Sequence, residues 1–362
     1  MTRIFSTVIG LLLLSACAVK PVVITKPNQF TPSITVEDPI PASTIDSLLE
    51  LHNVNGVSVS YINDRYSSWT ESYGYADDKK LLALNNTTQF QAAEISQTLA
   101  TLASFVLIQA DKISLDTDIS SFIVDFKLDN MYAGRYIALR NLLKHRGGFN
   151  VTHFDPYNRT DTLPTSNQIL KGEAPAKNEP ISVVYEPLKT LQYSEGGYHF
   201  MQMIIEKIMR ESYSSFVSNY IFYPLKMSNS SFTLPIDTSN ASTGFMADEN
   251  AIMNKWNIYP QNAASGLWTT SEDLAKMLRE ILMASHGKSR YIELRCYEEM
   301  VSNSLSLSYD YDKKTISYTG QNEGYTSHFS ASTESRKGIV IMTNSANGGA
   351  LINDIFKLFE AN

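Results

Sequence analysis

The spacing of apolar residues changes character along the chain. Ile45, Leu48, Leu49 and Leu51 recur at helical intervals and predict a short helix over Thr44–Leu51. Val57, Val59 and Tyr61 then alternate with Ser58 and Ser60, the period of two expected of a strand with one buried face. Ser68–Tyr75 reads as the hairpin partner of that strand. Ile95, Leu99, Leu102 and Val106 set one apolar stripe along a helix from Glu94 to Ala110. The middle of the chain, roughly 111–300, is mostly helix and loop, clearest at Met201–Met209 and Ser271–Met283. Strand periods return late. Leu305, Leu307, Tyr309 and Tyr311 alternate, Ile339–Met342 is a β-rich run, and Leu351–Phe359 closes as an amphipathic helix. Short connections require the two ends to meet in one sheet, so the helical section is expected as a lobe inserted into an α/β lobe.

The first residues carry a different pattern. Arg3 precedes an apolar run of signal-peptide length, Ile4–Leu14, too short to span a bilayer as a stable helix. Leu14-Ser15-Ala16-Cys17 follows and resembles the lipobox of bacterial lipoproteins. On that reading residues 1–16 are a signal peptide, and Cys17 carries lipid and is the partner through which the protein meets the membrane. Ala18 after the cysteine points to the outer membrane, facing the periplasm or the cell surface. An ordinary signal peptide with a chance cysteine is the competing reading. Several acyl chains at ~0.8 kcal/mol per buried methylene would anchor the protein durably. Pro21, Pro27, Pro32, Pro39 and Pro41 favour extended conformations, so residues 17–44 are expected to tether a folded body of residues 45–362. Lipidation of Cys17 leaves Cys296 without a partner, and burial is expected for it.

Composition narrows the function. The 362 residues are 43% hydrophobic and 19% charged, enough to build a sizeable core. The formal charge of −7 argues against nucleic acid as a partner. Two cysteines exclude a disulfide-dense scaffold and a four-cysteine zinc module. The six histidines show no ligand spacing and no phosphate-binding glycine motif is present, so neither metal nor other cofactor is expected. A literal S-x-x-K at Ser285–Lys288 contains Gly287 and follows a helix end, which makes it a surface loop.

A set of short segments carries more. They are Phe90–Thr98, Leu107–Asp116, Leu142–Gly148, Tyr193–Tyr198, Ser265–Leu274, Tyr318–Gly320 with Gly324–Ser327, and Gly338–Ser345. In content and order they resemble the serine β-lactamase and penicillin-binding family of the class C and DD-peptidase type. The resemblance implies an α/β (α+β) fold, with a mainly antiparallel sheet from both chain ends, flanking helices and an inserted helical lobe. It also implies where the chemistry sits. The family needs a serine at the start of a helix and a lysine three residues later, on the same face, with a tyrosine from a second motif to move the serine proton. Here Glu94 stands at the serine position and Gln97 at the lysine position. Tyr193 is kept, Glu195 replaces an asparagine, and Tyr318 replaces the cationic residue of the last motif.

The resemblance therefore implies a pocket lined by Glu94, Tyr193, Glu195, Tyr318 and Gly320, with Glu94 and Glu195 facing each other across the cleft. Ser96 lies about 200° round the helix from Glu94 and is expected to point away from it. His145 and Trp268 read as core residues. A binding or accessory protein of the cell envelope without catalysis is the favoured reading, with a peptidoglycan fragment or an envelope protein as partner. An active hydrolase of peptide or ester substrates using carboxylates and an inert scaffold are the alternatives. Cys17→Ser is expected to move the protein out of the membrane fraction. Unchanged fractionation, with no lipid on the mature N-terminus, would contradict the lipoprotein reading.

Overall fold

The computed structural model describes residues 40–63 and 68–360. The segments expected as a signal peptide and a tether, with Cys17, lie outside the described residues up to residue 39. Helix α1, Ala42–His52, opens the body, and Ile40 just before it is already buried.

Strands β1 (Gly56–Ile62), β2 (Ser68–Gly74), β5 (Ser308–Asp310), β6 (Thr315–Asn322), β7 (Tyr325–Ser332) and β8 (Gly338–Thr343) form one antiparallel sheet. Its order is β2-β1-β8-β7-β6-β5, so the N-terminal hairpin docks on the last strand of the chain. The expected union of the two chain ends is thus the β1–β8 ladder, Val57 opposite Thr343 through Ile62 opposite Gly338. A separate two-stranded ribbon joins β3 (Phe90–Gln91) to β4 (Trp268–Thr269). Helix α2 covers Ile95–Gln109, α3 covers Glu195–Met209, α4 covers Ser271–Ala284 and α5 covers Gly348–Glu360. Between β2 and β5 the chain is mostly helix and loop, as the resemblance implied.

Two expectations change in detail. The alternation in β1 does not separate core from solvent, because every residue of the strand is buried. Val57, Val59 and Tyr61 pack with Ile339, Ile341 and residues of α1 and α5 in one apolar layer. Ser58 and Ser60 face the other way, onto the start of α4, where both hydroxyls meet Ser271 Oγ at 2.8 Å. Ser72 and Thr70 of β2 complete this hydroxyl set at 2.9 and 2.7 Å. Helices thus cover both faces of the sheet, and the polar half of the pattern is satisfied inside it. In the second case, Leu305 and Leu307 are buried but precede the strand, which holds only Ser308–Asp310. Side chains there alternate because the loop packs, not because a long ladder forms.

Helix α2 departs from the one-sided helix that its stripe predicted. It is buried on nearly all sides, Val106 being only partly covered. Its polar side chains are satisfied locally. Thr98 Oγ1 donates to the Ser306 carbonyl, Thr101 and Ser306 share a hydroxyl contact at 2.8 Å, and Ser104 Oγ donates to the Ala100 carbonyl. A helix enclosed this way is rigid, which suits an element that begins at the cleft. Cys296 is buried, and the Ser285–Lys288 segment forms the turn after α4, where Ser285 Oγ caps the Leu282 carbonyl.

Ser271→Ala removes the hydroxyl shared by Ser58 and Ser60 inside the protein. It is expected to lower stability by about 1–2 kcal/mol in urea unfolding. No change would show that the β2 hydroxyls suffice.

Candidate functional site

The cleft is built around the entry to α2. After β3 the chain turns at Ala93, whose φ is +50°, and enters the helix at Glu94. A left-handed alanine costs about 1–2 kcal/mol, so the turn is held by its neighbours. Ala92 N–H donates to the Leu267 carbonyl, and Ser96 Oγ donates to the Ala93 carbonyl while accepting from the Leu267 N–H. Ser96 is therefore fully buried and spent on the turn. On the other side β6 presses against it. A Cβ at Gly320 would lie 2.3 Å from the Ala92 carbonyl oxygen and 2.9 Å from the Glu94 nitrogen, so only glycine permits this contact. Ser327 Oγ of β7 ties down the Ala92 carbonyl at 3.0 Å.

Glu94 stands at the lip of this turn, and its Oε2 accepts the Gln321 N–H at 2.6 Å. One turn into α2, Gln97 is fully buried. Its Nε2 donates to the Tyr193 hydroxyl at 2.8 Å, and its Oε1 accepts from the Tyr318 hydroxyl at 3.0 Å. A neutral amide thus holds two phenols together at the position where the resemblance implied a lysine. Tyr193 precedes α3, its ring 4.4 Å from that of His145 and 5.7 Å from that of His153. Ser194 caps α3 by accepting the Gly197 N–H, which sets Glu195 in the first turn of the helix. Glu195 is buried, its Oε1 accepting from Ser265 Oγ at 3.1 Å and its Oε2 from the Phe154 N–H at 3.0 Å.

Burial, and then the charge of Glu94, push the Glu195 carboxyl up to about 8. Burial also raises Glu94, opposed by the N–H groups that its carboxylate accepts from. Both carboxylates lie at helix N-termini, which favours negative charge and offsets part of the burial. Tyr193 and Tyr318 are pushed up as well, first by burial and then by nearby negative groups. His145 is held at about 4 by burial and accepts the Ser194 N–H on Nδ1, so it is a neutral structural imidazole. Among the described residues, the one basic group within ion-pair reach of these carboxylates is His153, 4.0 Å from Glu195 and largely exposed. A recess of about 270 Å³, lined by Asn150–His153, Asn178, Glu179 and Tyr185, shares His153 with this region. No group of three or more His, Cys, Asp or Glu side chains is placed to hold a metal among the described residues.

The structure therefore brings Glu94, Gln97, Tyr193 and Tyr318 into one connected region, with Gly320 as its backbone contact. Glu195 joins them electrostatically, because it feels the Glu94 charge and Tyr193 feels both. Glu195 is enclosed, its carboxylate held by Ser265 and the Phe154 backbone. Sequence reasoning missed Gln321, Ser265, Phe154 and His153. Gln321 follows directly on Tyr318-Thr319-Gly320 and was within reach. His153 and Phe154 belong to a loop with no motif, and Phe154 acts through its backbone, which no side-chain pattern reveals. Trp268 is core, edge-on to Trp256 and Tyr325.

Comparison with known proteins places this arrangement. The family profile described as Beta-lactamase matches residues 42–361, and the chain belongs to that family. Protein flp of Staphylococcus aureus (strain N315) is 23% identical over 191 residues, covering 52% of this chain and 37% of that protein. Beta-lactamase-like protein 4 of Dictyostelium discoideum is 24% identical over 210 residues, covering 53% of this chain and 36% of that protein. The chain thus spans well under half the length of these curated relatives. Among solved structures, D-amino acid amidase from Ochrobactrum anthropi SV3 complexed with L-phenylalanine superposes with a TM-score of 0.74 at 19% identity, over 88% of this chain and 98% of that one. The octameric penicillin-binding protein homologue from Pyrococcus abyssi gives 0.67 at 20% identity, over 84% and 73%. A class C beta-lactamase gives 0.64 at 18%, over 88% and 95%. At these identities the likeness is one of fold.

The raised Glu195 carboxyl makes a pH prediction. The folded protein keeps this proton up to about 8, whereas the unfolded chain releases it near 4.5, so folding stability falls as pH rises between those values. Glu94 acts in the same sense. Buried His145, His199 and His328, held at about 4 against an ordinary 6.5, act oppositely but only below 6.5. Urea unfolding from pH 6.5 to 8 should show a falling midpoint that Glu195→Gln flattens. An equal fall in both proteins would contradict it.

Proposed function

We propose that this protein is an envelope lipoprotein that uses the beta-lactamase fold to bind a ligand rather than to form a serine acyl-enzyme. The carrying observation is the Gln97 amide between the Tyr193 and Tyr318 hydroxyls. Acyl transfer through this cleft needs a hydroxyl nucleophile at the helix start and a base one turn on. The chain puts a carboxylate in the first place and an amide without a basic lone pair in the second. Ser96, the nearest hydroxyl in sequence, is consumed by the turn. The neighbours in fold, among them a D-amino acid amidase, lend support to one ligand class. A D-amino-acid-bearing peptidoglycan fragment is the partner this supports best. Anchoring through Cys17 would hold the cleft at the outer membrane, close to such fragments.

A specific observation also favours the alternative of a carboxylate-based hydrolase. Glu94 and Glu195 form a coupled pair with unequal environments, the arrangement that can supply an acid and a base. Turnover of a peptide or ester substrate that Glu195→Gln abolishes would establish that reading in place of binding.

Penicillin-like and fluorophosphonate probes are expected to leave the full-length protein unlabelled by intact-mass spectrometry. Glu94→Ser alone is expected to restore little labelling, because the groups of such a site act as a unit. An acyl adduct on Ser96 of the wild-type protein would overturn the proposal. Purified peptidoglycan fragments should raise the melting temperature in a saturable way, and a flat response across such fragments would favour an inert scaffold.

A further inference from the structure

Away from the cleft, a recess of about 360 Å³ opens at the far end of α2. That volume lies in the range of small-molecule sites. Phe105 and Ile108 line it, which places it roughly 16–21 Å along the helix from Glu94 at 1.5 Å per residue. With Leu115 and the Cys296 thiol they form an apolar floor, each of the four at most 9% exposed. Burial pushes the thiol up to about 11, so it stays neutral and packs as a small apolar group. Part of the wall is polar and already satisfied. Arg140, in the short helix Leu139–Leu143, donates to Asp116 at 2.8 and 3.1 Å and to Glu299 at 2.8 Å. Asn303 Nδ2 donates to the same Glu299 oxygen at 2.7 Å, and these bonds fix the wall in place. The helix Leu294–Ser302 supplies the other charges. Its Arg295, Glu298, Glu299 and Ser302 recur at helical spacing and share the face turned to the recess. Arg295 does not pair with Glu298 one turn on. Its Nε donates to Glu293 at 2.5 Å instead, which leaves the terminal guanidinium nitrogens without a protein acceptor among the described residues. The Glu298 carboxylate has no ion pair or hydrogen bond among the described residues. A guanidinium edge with free donors and an unpaired carboxylate thus stand on one helix face beside an apolar floor.

We infer that this recess is a second ligand site, separate from the cleft, for a zwitterionic amino acid with an apolar side chain. The ligand carboxylate takes the terminal N–H groups of Arg295, whose planar fork matches two carboxylate oxygens. The ligand ammonium pairs with Glu298, and the side chain fills the recess over Phe105, Ile108, Leu115 and Cys296. The mixture of charges sets the class. A plain anion would meet the carboxylates of Asp116, Glu298 and Glu299, and a plain cation would meet the guanidiniums of Arg140 and Arg295. A zwitterion answers both signs at once, and like-charge contacts count against the other two. The inference goes beyond the cleft reading and does not depend on it, since the two sites share no side chain.

The test is isothermal titration of L-leucine, L-methionine and L-phenylalanine into the full-length protein at neutral pH. Saturable binding of at least one is expected. Against leucine, leucinamide lacks the carboxylate, 4-methylpentanoate lacks the ammonium and glycine lacks the side chain, and each should bind more weakly by about tenfold or more. Arg295 and Glu298 are exposed, so Arg295→Gln and Glu298→Gln should fold as the wild type does. Each should weaken the amino acid by about tenfold, the worth of one charge-assisted hydrogen bond. A wild type that binds none of the three amino acids would overturn the inference. So would binding that both variants retain at full strength, which would place the ligand elsewhere, or equal binding of leucine, leucinamide and 4-methylpentanoate.

Discussion

The close approach of Gly320 to the turn at Ala92–Glu94 is the constraint on which the cleft depends. It joins the sheet to the helical part of the molecule at a distance no other residue allows. The left-handed Ala93, the buried Ser96 hydroxyl and the Ser327 hydroxyl all serve to hold that turn against the strand. Once it is held, the Gln321 N–H meets the Glu94 carboxylate, Gln97 is directed inward, and Tyr318 of the same strand reaches the Gln97 amide. The backbone framework of the cleft is thus fixed by this contact, and the side chains on it depart from those that the resemblance implied.

Those changes share one electrostatic sense. A cleft with a lysine attracts anions and moves protons at neutral pH. This one holds two carboxylates, two phenols and an amide, and its one basic neighbour within ion-pair reach among the described residues is an exposed histidine. Burial pushes protons onto the acids, and the amide bridges the phenols without accepting charge. Replacing a charged lysine by a neutral amide also removes the cost of burying an ion inside α2, which is enclosed on nearly all sides. The result is a well-satisfied polar cluster.

The same economy of polar groups appears in the sheet. Ser58 and Ser60 look like the solvent side of a strand, yet they face the interior and find Ser271 and the β2 hydroxyls. Covering both faces of an antiparallel sheet with helices demands such pairing, since an unmatched buried hydroxyl would cost about 1–3 kcal/mol.

What the sequence determined by itself is what depends on nearest neighbours and on order. Helix and strand periods located β1, β2, α2, α4 and α5, and the ordered motifs marked Glu94, Gln97, Tyr193, Glu195 and Tyr318 as one site. Tertiary structure decided the rest. Whether the alternation in β1 meant solvent or a second layer depended on α4, which lies more than two hundred residues away in the chain. That Leu305 and Leu307 pack from a loop depended on where the β5–β6 ladder stops. The enclosure of Glu195 came from Ser265 and from the Phe154 backbone, and backbone donors leave no trace in side-chain patterns. The capture of Glu94 by Gln321 likewise required two segments separated by the whole helical section to touch. Periodicity reports which face of an element is apolar, whereas burial, proton affinity and hydrogen-bond partners depend on what long-range packing brings against that face.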